Sequence, residues 1–392
     1  MALTQVTSDV VDGSLGPDWQ AGIKTADFNA TNGEGYFVNT TSGTVTVTLP
    51  AGTQGDEITF QDYSSNFDTN LITFTPNGSQ KIQGVAAGYS CTTKDTTVRL
   101  IYQDDTRGWS GNSISPAALS IHFLVVAGGG GGSSGYGGSP QGGGGAGGLR
   151  TSWGSLSGGG NSAENSIALA TGTNYTVTVG AGGGGAANNN GYMAGAGGTS
   201  QFGTITTVGG GGSRNWSSSA AAGSGGSGAG QAYATNGGPG AGTANQGFAG
   251  GSVTVTGPGA GGGGAGSVGS WAASPTFGIG GNGINIDITG STVSYAGGGG
   301  RTLGTPPGGG GASAATNAAG GNGTANTGGG GGGGAGTGGS YIGGSGGTGV
   351  VVLRYSGSKS ITVPGGLTAT TSVVGSDKVT IFTAGTGNIQ FT

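Results

Sequence analysis

Few side chains in this chain of 392 residues are equipped for chemistry, and their spacing limits what they can do. His122 is the only histidine and Cys91 the only cysteine. A zinc site needs a cluster of His and Cys ligands, and a serine triad needs a base beside a nucleophile on a strained elbow. The sequence supplies neither, so His122 reads as a strand residue at a sheet edge, and one cysteine builds no disulfide framework. The densest carboxylates are Asp56, Glu57, Asp62, Asp68, Asp104 and Asp105. Paired carboxylates can hydrolyse glycosidic bonds. Here they fall at the ends of predicted strands and in turns, where Asp bonds the local backbone. A turn role outweighs a surface calcium site, and catalysis ranks last. Val125-Val126-Ala127 followed by Gly128 to Gly132 fits the spacing of a dinucleotide fingerprint. That fingerprint needs a helix N-terminus for the pyrophosphate, and no helical pattern follows. The expectation is a protein without cofactor, metal or enzyme activity.

Aromatic residues are the more informative set. Tyr136, Trp153, Tyr192, Trp216, Tyr233 and Trp271 stand among Gly, Ser and Asn, as do Tyr295 and Tyr341. Tyr and Trp in such surroundings make an adaptable contact surface of the kind antibodies use, and their rings can stack on sugars. The competing reading is that they cap a core with few other large apolar groups. We take the first six as candidate receptor-binding residues. The best candidates for exposed loops are Asn188 to Tyr192 and Ser213 to Ser219 around Trp216.

Composition narrows the class of protein. Glycine is 104 of 392 residues and charged residues are 7%, against about 7% and 25% in ordinary domains. With a net charge of −4 and scattered Lys and Arg, no basic stripe exists to displace counterions from a nucleic acid. No apolar run approaches the ~20 residues of a membrane span. The opening residues, Met1-Ala-Leu-Thr-Gln-Val-Thr, lack the basic and apolar regions of a secretory leader. The expectation is a protein made in the cytoplasm that binds no nucleic acid and does not insert into a membrane.

Glycine is concentrated between 121 and 350, which sets two boundaries. Before it, Gly35–Val38, Thr44–Leu49, Glu57–Phe60, Leu71–Phe74 and Thr97–Tyr102 alternate β-branched or aromatic residues with polar ones. That alternation, broken at Pro50-Ala51-Gly52, Pro76-Asn77-Gly78 and Asp104 to Trp109, predicts a small β-sandwich. The strand Ser120–Ala127 runs into the glycine array and Gly349–Tyr355 follows it, so the two are expected to pair and clamp its base. After them Ile361–Val363, Lys378–Phe382 and Asn388–Phe391 read as hairpin strands that extend this sheet.

A lone glycine run is normally a flexible linker. One arrangement orders it. In polyproline-II geometry the backbone makes about three residues per turn and no internal hydrogen bonds, so every N–H and C=O points outward. Without Cβ atoms such helices can approach closely and pair those groups with one another, meeting the requirement that buried backbone be bonded. No Gly-X-Y period is sustained, which excludes collagen. The apolar residues between the blocks, Phe202, Phe248, Phe277, Ile284 and Ile286 among them, favour this bundle over a disordered segment.

The ordered series Phe123-Leu-Val-Val-Ala127, Gly128 to Gly132, Gly142-Gly-Gly-Gly-Ala-Gly-Gly-Leu-Arg150, Tyr175-Thr-Val-Thr-Val-Gly-Ala-Gly-Gly183 and Gly349-Val-Val-Val-Leu-Arg-Tyr355 is distinctive. It resembles the glycine-rich domain of fibre and structural proteins of marine tailed bacteriophages. Gly35-Tyr-Phe-Val-Asn-Thr-Thr-Ser-Gly-Thr-Val-Thr-Val-Thr-Leu-Pro50 is similar to a β module of cyanophage tail-fibre-like proteins. The resemblance implies a protein on the virion exterior, with a polyglycine bundle like that of T-even-like fibre-tip adhesins. Those carry host-recognition loops at the bundle's end.

The expected architecture is all-β with a polyglycine-II helix bundle and no α-helix of note. It comprises a virion-anchoring segment (1–30), a β-sandwich module (31–117), the glycine-rich domain with its flanking strands (118–357) and a β-hairpin extension (358–392). The expected function is a tail fibre or adhesin that binds a host surface polysaccharide or outer-membrane protein through bundle loops. The alternative is a capsid or tail decoration or connector protein without receptor binding. Its module would dock on other virion proteins in either case. Phage fibres favour a homotrimer, whereas a polyglycine bundle can close within one chain, and both states stay open.

Overall fold

The computed structural model describes residues 16–392 apart from 117, 137–140, 188–192, 216–218, 234–236, 254–258, 272–277, 301–307, 313–316 and 337–338. The fold is all-β. Among the described residues the one helical element is a 3₁₀ turn at Gly158–Gly160. The chain divides into two compact units, Met1–Leu119 with Leu169–Thr173 and Thr392, and Ser120–Ala168 with Asn174–Phe391.

The first unit contains β1 (Asp18–Trp19), β2 (Phe28–Asn29), β3 (Glu34–Val38), β4 (Val45–Thr48) and β5 (Glu57–Asp62). They are followed by β6 (Ile72–Thr75), β7 (Tyr89–Cys91), β8 (Thr97–Tyr102), β9 (Trp109–Gly111) and β10 (Ser115–Pro116). Two sheets form, ordered β1-β3-β5-β8-β9 and β10-β7-β6-β4-β2. From β1 to β6 the chain alternates between sheets, and neighbours in each sheet run parallel. It winds as a roll, each coil adding one strand to each sheet, and antiparallel pairs from β7 onward close it. Period-two alternation predicts the strands but not this winding, because a coil and a hairpin leave the same pattern. Residues 18–29, expected within a separate anchoring segment, supply the roll's first strands. Alternation puts Val45, Val47, Ile58, Phe60, Ile72 and Phe74 in the core between the sheets. Phe60 of one sheet packs on Phe74 of the other with ring centroids 4.9 Å apart. Cys91 is buried there, and burial pushes its thiol pKa up, which keeps it protonated and inert.

The second unit takes in β11 (Ala118–Val126) from Ser120 onward, β12 (Gly135–Tyr136), β13 (Leu149–Thr151), the first half of β14 (Ile167–Ala170) and β15 (Tyr175–Thr178). Then come β16 (Ser200–Phe202), β17 (Ile205–Thr207), β18 (Ile284–Ile286), β19 (Val293–Tyr295) and β20 (Ser340–Tyr341). β21 (Val350–Ser356), β22 (Ile361–Thr362), β23 (Leu367–Val374) and β24 (Asp377–Phe391) complete it. The strands that bracket the glycine array do pair: β11 lies antiparallel to β21, with Phe123 opposite Leu353 and Val125 opposite Val351. The tail joins the same sheet. β24 lines up against β21 over Asp377–Phe382 and against β15 over Thr386–Ile389. The two short strands expected near the C-terminus are thus one long strand. Its hairpin partner β23 escapes a sequence reading because Leu-Thr-Ala-Thr-Thr-Ser-Val-Val is mostly exposed and carries no buried face.

Between β11 and β21 the glycine blocks form a lattice held by main-chain hydrogen bonds. Segment 128–133 gives its rule. The N–H groups of Gly128 and Gly131 donate to Gly198 and Gly195, those of Gly129 and Gly132 to Gly347 and Gly344, and those of Gly130 and Ser133 to Gly145 and Gly142. Each pair is three residues apart and its acceptors run in the opposite direction. The carbonyls obey the same period: Gly128 and Gly131 accept from Gly210 and Ser213, Gly129 and Gly132 from Gly183 and Ala186, Gly130 and Ser133 from Gly331 and Gly334. These donors run parallel to the segment. A backbone with about three residues per turn turns successive residues toward successive neighbours, which is the polyproline-II geometry. The segment therefore donates to three antiparallel neighbours and accepts from three parallel ones, a hexagonal packing. Segments 142–148 and 328–334 bond both to 128–133 and to each other, and together they form the lattice centre.

The approach is too close for side chains. A Cβ on Gly130 would lie 2.1 Å from the Gly211 carbonyl oxygen, and one on Gly144 2.2 Å from that of Gly130. At the periphery the exclusion is lifted in one phase of three. Ala181 and Gly184 face outward, as do Met193, Ala196 and Thr199, and a Cβ on Gly184 would meet nothing within 4 Å. We therefore expect Gly130→Ala to destabilise the second unit by about 1–3 kcal/mol. Gly184→Ala should stay within about 0.5 kcal/mol of the parent. Chemical unfolding followed by amide exchange of the glycine N–H groups distinguishes the two. Equal stability of the two variants would contradict the lattice.

Candidate functional site

The alternating direction of the segments sorts their connections onto two ends. At the sheet end, Ala127 donates to Gly148 and Gly349 to Gly180, beside the ends of β11 and β21. At the far end, Ser133 donates to Gly142, Ala194 to Ser213 and Gly343 to Ala186. The connection after Ser133 contains Tyr136, whose backbone in β12 pairs with β20 (Tyr136 opposite Ser340). Tyr233 follows Gln231, which accepts from Ala260 at the same level, and is half-buried. Trp271 follows Ser270, which donates to Ile279; both Trp271 and Ile279 are more than half exposed. Tyr192 and Trp216, with Asn188 to Gly191, lie outside the described residues. Their connections leave and rejoin the lattice at Ala186 and Ala194, and at Ser213 and Gly223. Met193 and Ile342 are further exposed apolar side chains at this end.

Trp153 is not brought together with the others. It stands at the sheet end, just beyond β13, with the Arg354 guanidinium 4.3 Å above its ring and its indole N–H donating to Asp287 Oδ1 at 2.8 Å. His122 meets it edge-on at 5.0 Å and sits opposite Arg354 in the sheet, so the lone histidine is a packing residue. Arg354 also binds Asp377 at 2.8 Å. Of the scarce charges within 121–350, Arg150 and Glu164 form a two-point pair at 2.7 and 2.8 Å, and Arg214 donates to the Ala221 carbonyl. Arg301 lies outside the described residues. The Tyr295 phenol is pushed above its usual pKa by burial beneath this cluster, and Tyr355 likewise by burial in the sheet.

The carboxylates of the first unit organise loops. Asp62 is almost wholly buried and accepts backbone N–H groups from Ser64 and Asn66 at Oδ1 and from Phe67 and Asp95 at Oδ2, all at 3.1–3.3 Å. Asp104 accepts from Thr106 and Arg107, and Asp56 from Thr53. Glu57 pairs with Arg99, Asp68 with Lys94, and Asp105 accepts from the Tyr102 hydroxyl. Among the described residues no three His, Cys, Asp or Glu side chains converge as metal ligands would.

These features define an all-β protein in which a β-clamped polyglycine lattice presents aromatic-bearing connections at one end. Residues 105–356 match the glycine-rich domain family, and the chain belongs to it. No curated protein matches the chain. The match ends at the last residue of β21, so β22, β23 and β24 lie outside the matched residues. Sequence reading picked out the far-end aromatics by composition but missed the convergence of Trp153, Asp287 and Arg354. The alternation Ile284-Asn-Ile-Asp-Ile288 was the available signal, since it places Asn285 and Asp287 together on an outward face.

The loop role of Asp62 has a measurable cost. Replacing it with Ala strands several buried donors and should destabilise the first unit by about 2–4 kcal/mol. Thermal unfolding monitored at Trp109 checks this, and a neutral change would show that the donors find other partners.

Proposed function

We propose that the chain is a non-enzymatic structural protein of a tailed-bacteriophage virion, a tail fibre or adhesin that recognises the host surface through the far-end connections. The observation that carries this reading is their convergence: a rigid lattice folds back on itself repeatedly, gathering connections rich in Gly, Ser, Asn, Tyr and Trp at one end. Such a surface gives contact area at low entropic cost together with adaptable hydrogen bonding. The resemblance of the glycine series to phage fibre proteins points the same way. Host polysaccharide or an outer-membrane protein is the partner proposed, and the virion exterior the location.

A decoration or connector role is the second reading. It is favoured by Trp19 stacked on Phe37 at 4.6 Å, both exposed on the first unit, a surface suited to docking on other virion proteins.

Purified protein should bind cells of a susceptible host or their isolated lipopolysaccharide. The double variant Tyr233→Ala with Trp271→Ala should weaken that binding at least about tenfold, a loss of about 1.4 kcal/mol, at unchanged melting temperature. Gold labelling that places the protein on the capsid, with no host binding, would leave the decoration reading and remove the adhesin.

A further inference from the structure

A groove of about 380 Å³ opens at the sheet end of the second unit, lined among others by Trp153, Leu156, Asn282, Asn285 and Asp287. Its volume falls in the range of small-ligand sites. Asn285 in β18 and Asp287 just beyond it alternate outward between Ile284, Ile286 and Ile288, which are buried in one apolar cluster. The floor is therefore fixed by packing, as a binding site requires. Asp287 Oδ1 is held by the indole N–H of Trp153, which orients the carboxylate and leaves Oδ2 without a partner among the described residues. Among the described residues the side-chain amides of Asn282 and Asn285 likewise find no partner, and both side chains line the groove. Leu156 is 55% exposed, an apolar side chain left at the rim.

We propose that this groove binds a neutral hexose unit of a polysaccharide, at a site separate from the far-end connections. The chemistry of the lining selects that class. A pyranose has an apolar C–H face and a rim of hydroxyls, each a donor and an acceptor. The indole and Leu156 offer apolar surface, the carboxylate accepts two hydroxyl protons at fixed angles, and each carboxamide both donates and accepts. Asp287 carries the only charge in the lining, and the neighbouring guanidinium of Arg354 is neutralised by Asp377. Among the described residues no unpaired cation lines the groove to meet a phosphate, sulfate or uronate, so acidic sugars are disfavoured. The site does not depend on the adhesin reading, because a decoration protein could use it equally.

Calorimetric titration of the full chain with maltose, lactose, mannobiose and chitobiose tests it. We expect at least one to bind one-to-one with a dissociation constant of about 1 mM or tighter. Asp287→Asn and Asn285→Ala, both exposed positions, should each weaken that binding about tenfold or more at unchanged circular dichroism, whereas Trp271→Ala at the far end should leave it intact. The proposal is overturned if none of the four sugars binds. It is equally overturned if binding survives undiminished in both groove variants, or is lost in Trp271→Ala.

Discussion

Everything in the second unit depends on main-chain amides finding partners in neighbouring chains rather than in their own helix or ladder. Polyproline-II geometry makes this possible because it directs each N–H and C=O outward, and glycine makes it close enough because nothing projects from Cα. The result inverts the usual division of labour. In an ordinary domain, side-chain burial selects the fold and the backbone complies; here backbone pairing selects which residues are admissible, and the answer at the lattice centre is glycine. Three carbonyl oxygens waiting about 2 Å from where a Cβ would sit, as at Gly129, Gly130 and Gly132, leave no alternative.

Such a lattice does not stand unaided. Ordering glycine has the largest entropic cost of any residue, and a main-chain hydrogen bond yields a modest net gain because water offers bonds as well. The remainder comes from conventional packing at one end. Leu124, Val126, Val350 and Val352 of the central strand pair join Leu149, Ile284, Ile286 and Val379 in one apolar cluster. Ala146, in the middle of a glycine block, is also part of it. A methyl is tolerated there because it points into that cluster and not at a neighbouring backbone. The long C-terminal strand β24 then ties the sheet across both of its halves. The glycine array is thus clamped by a region of ordinary hydrophobic packing.

How much of this could be read beforehand follows the same logic. Strands with alternating β-branched residues, such as Val45-Thr-Val-Thr48 and Thr97 to Tyr102, were legible because side-chain periodicity records their burial. The pairing of β11 with β21 was legible from two apolar runs bracketing the array. The parallel winding of the first unit was not, since strand direction leaves no mark on period two. Tyr89–Cys91 was too short to show a period, and β23 lacks a buried face. In the lattice itself the central blocks are glycine save Ser133 and Ala146 and show no repeating phase, whereas the peripheral Met193, Ala196 and Thr199 betray a period of three. The far-end aromatics could be chosen by composition, but Trp153 looked identical in sequence to Trp271. Only the fold separates the tryptophan stacked on Arg354 from the one held out at the opposite end.

The three-residue phase of the lattice gives the glycine blocks something like a reading frame. Removing a single residue from 128–133 would rotate every following amide by a third of a turn and present it to the wrong neighbour, whereas removing three would shorten the segment by one turn and keep each address. Connections between blocks obey no such arithmetic. Their length is free of the three-residue rule, so outward-facing segments can be lengthened or shortened residue by residue while the lattice that carries them tolerates change only in steps of three.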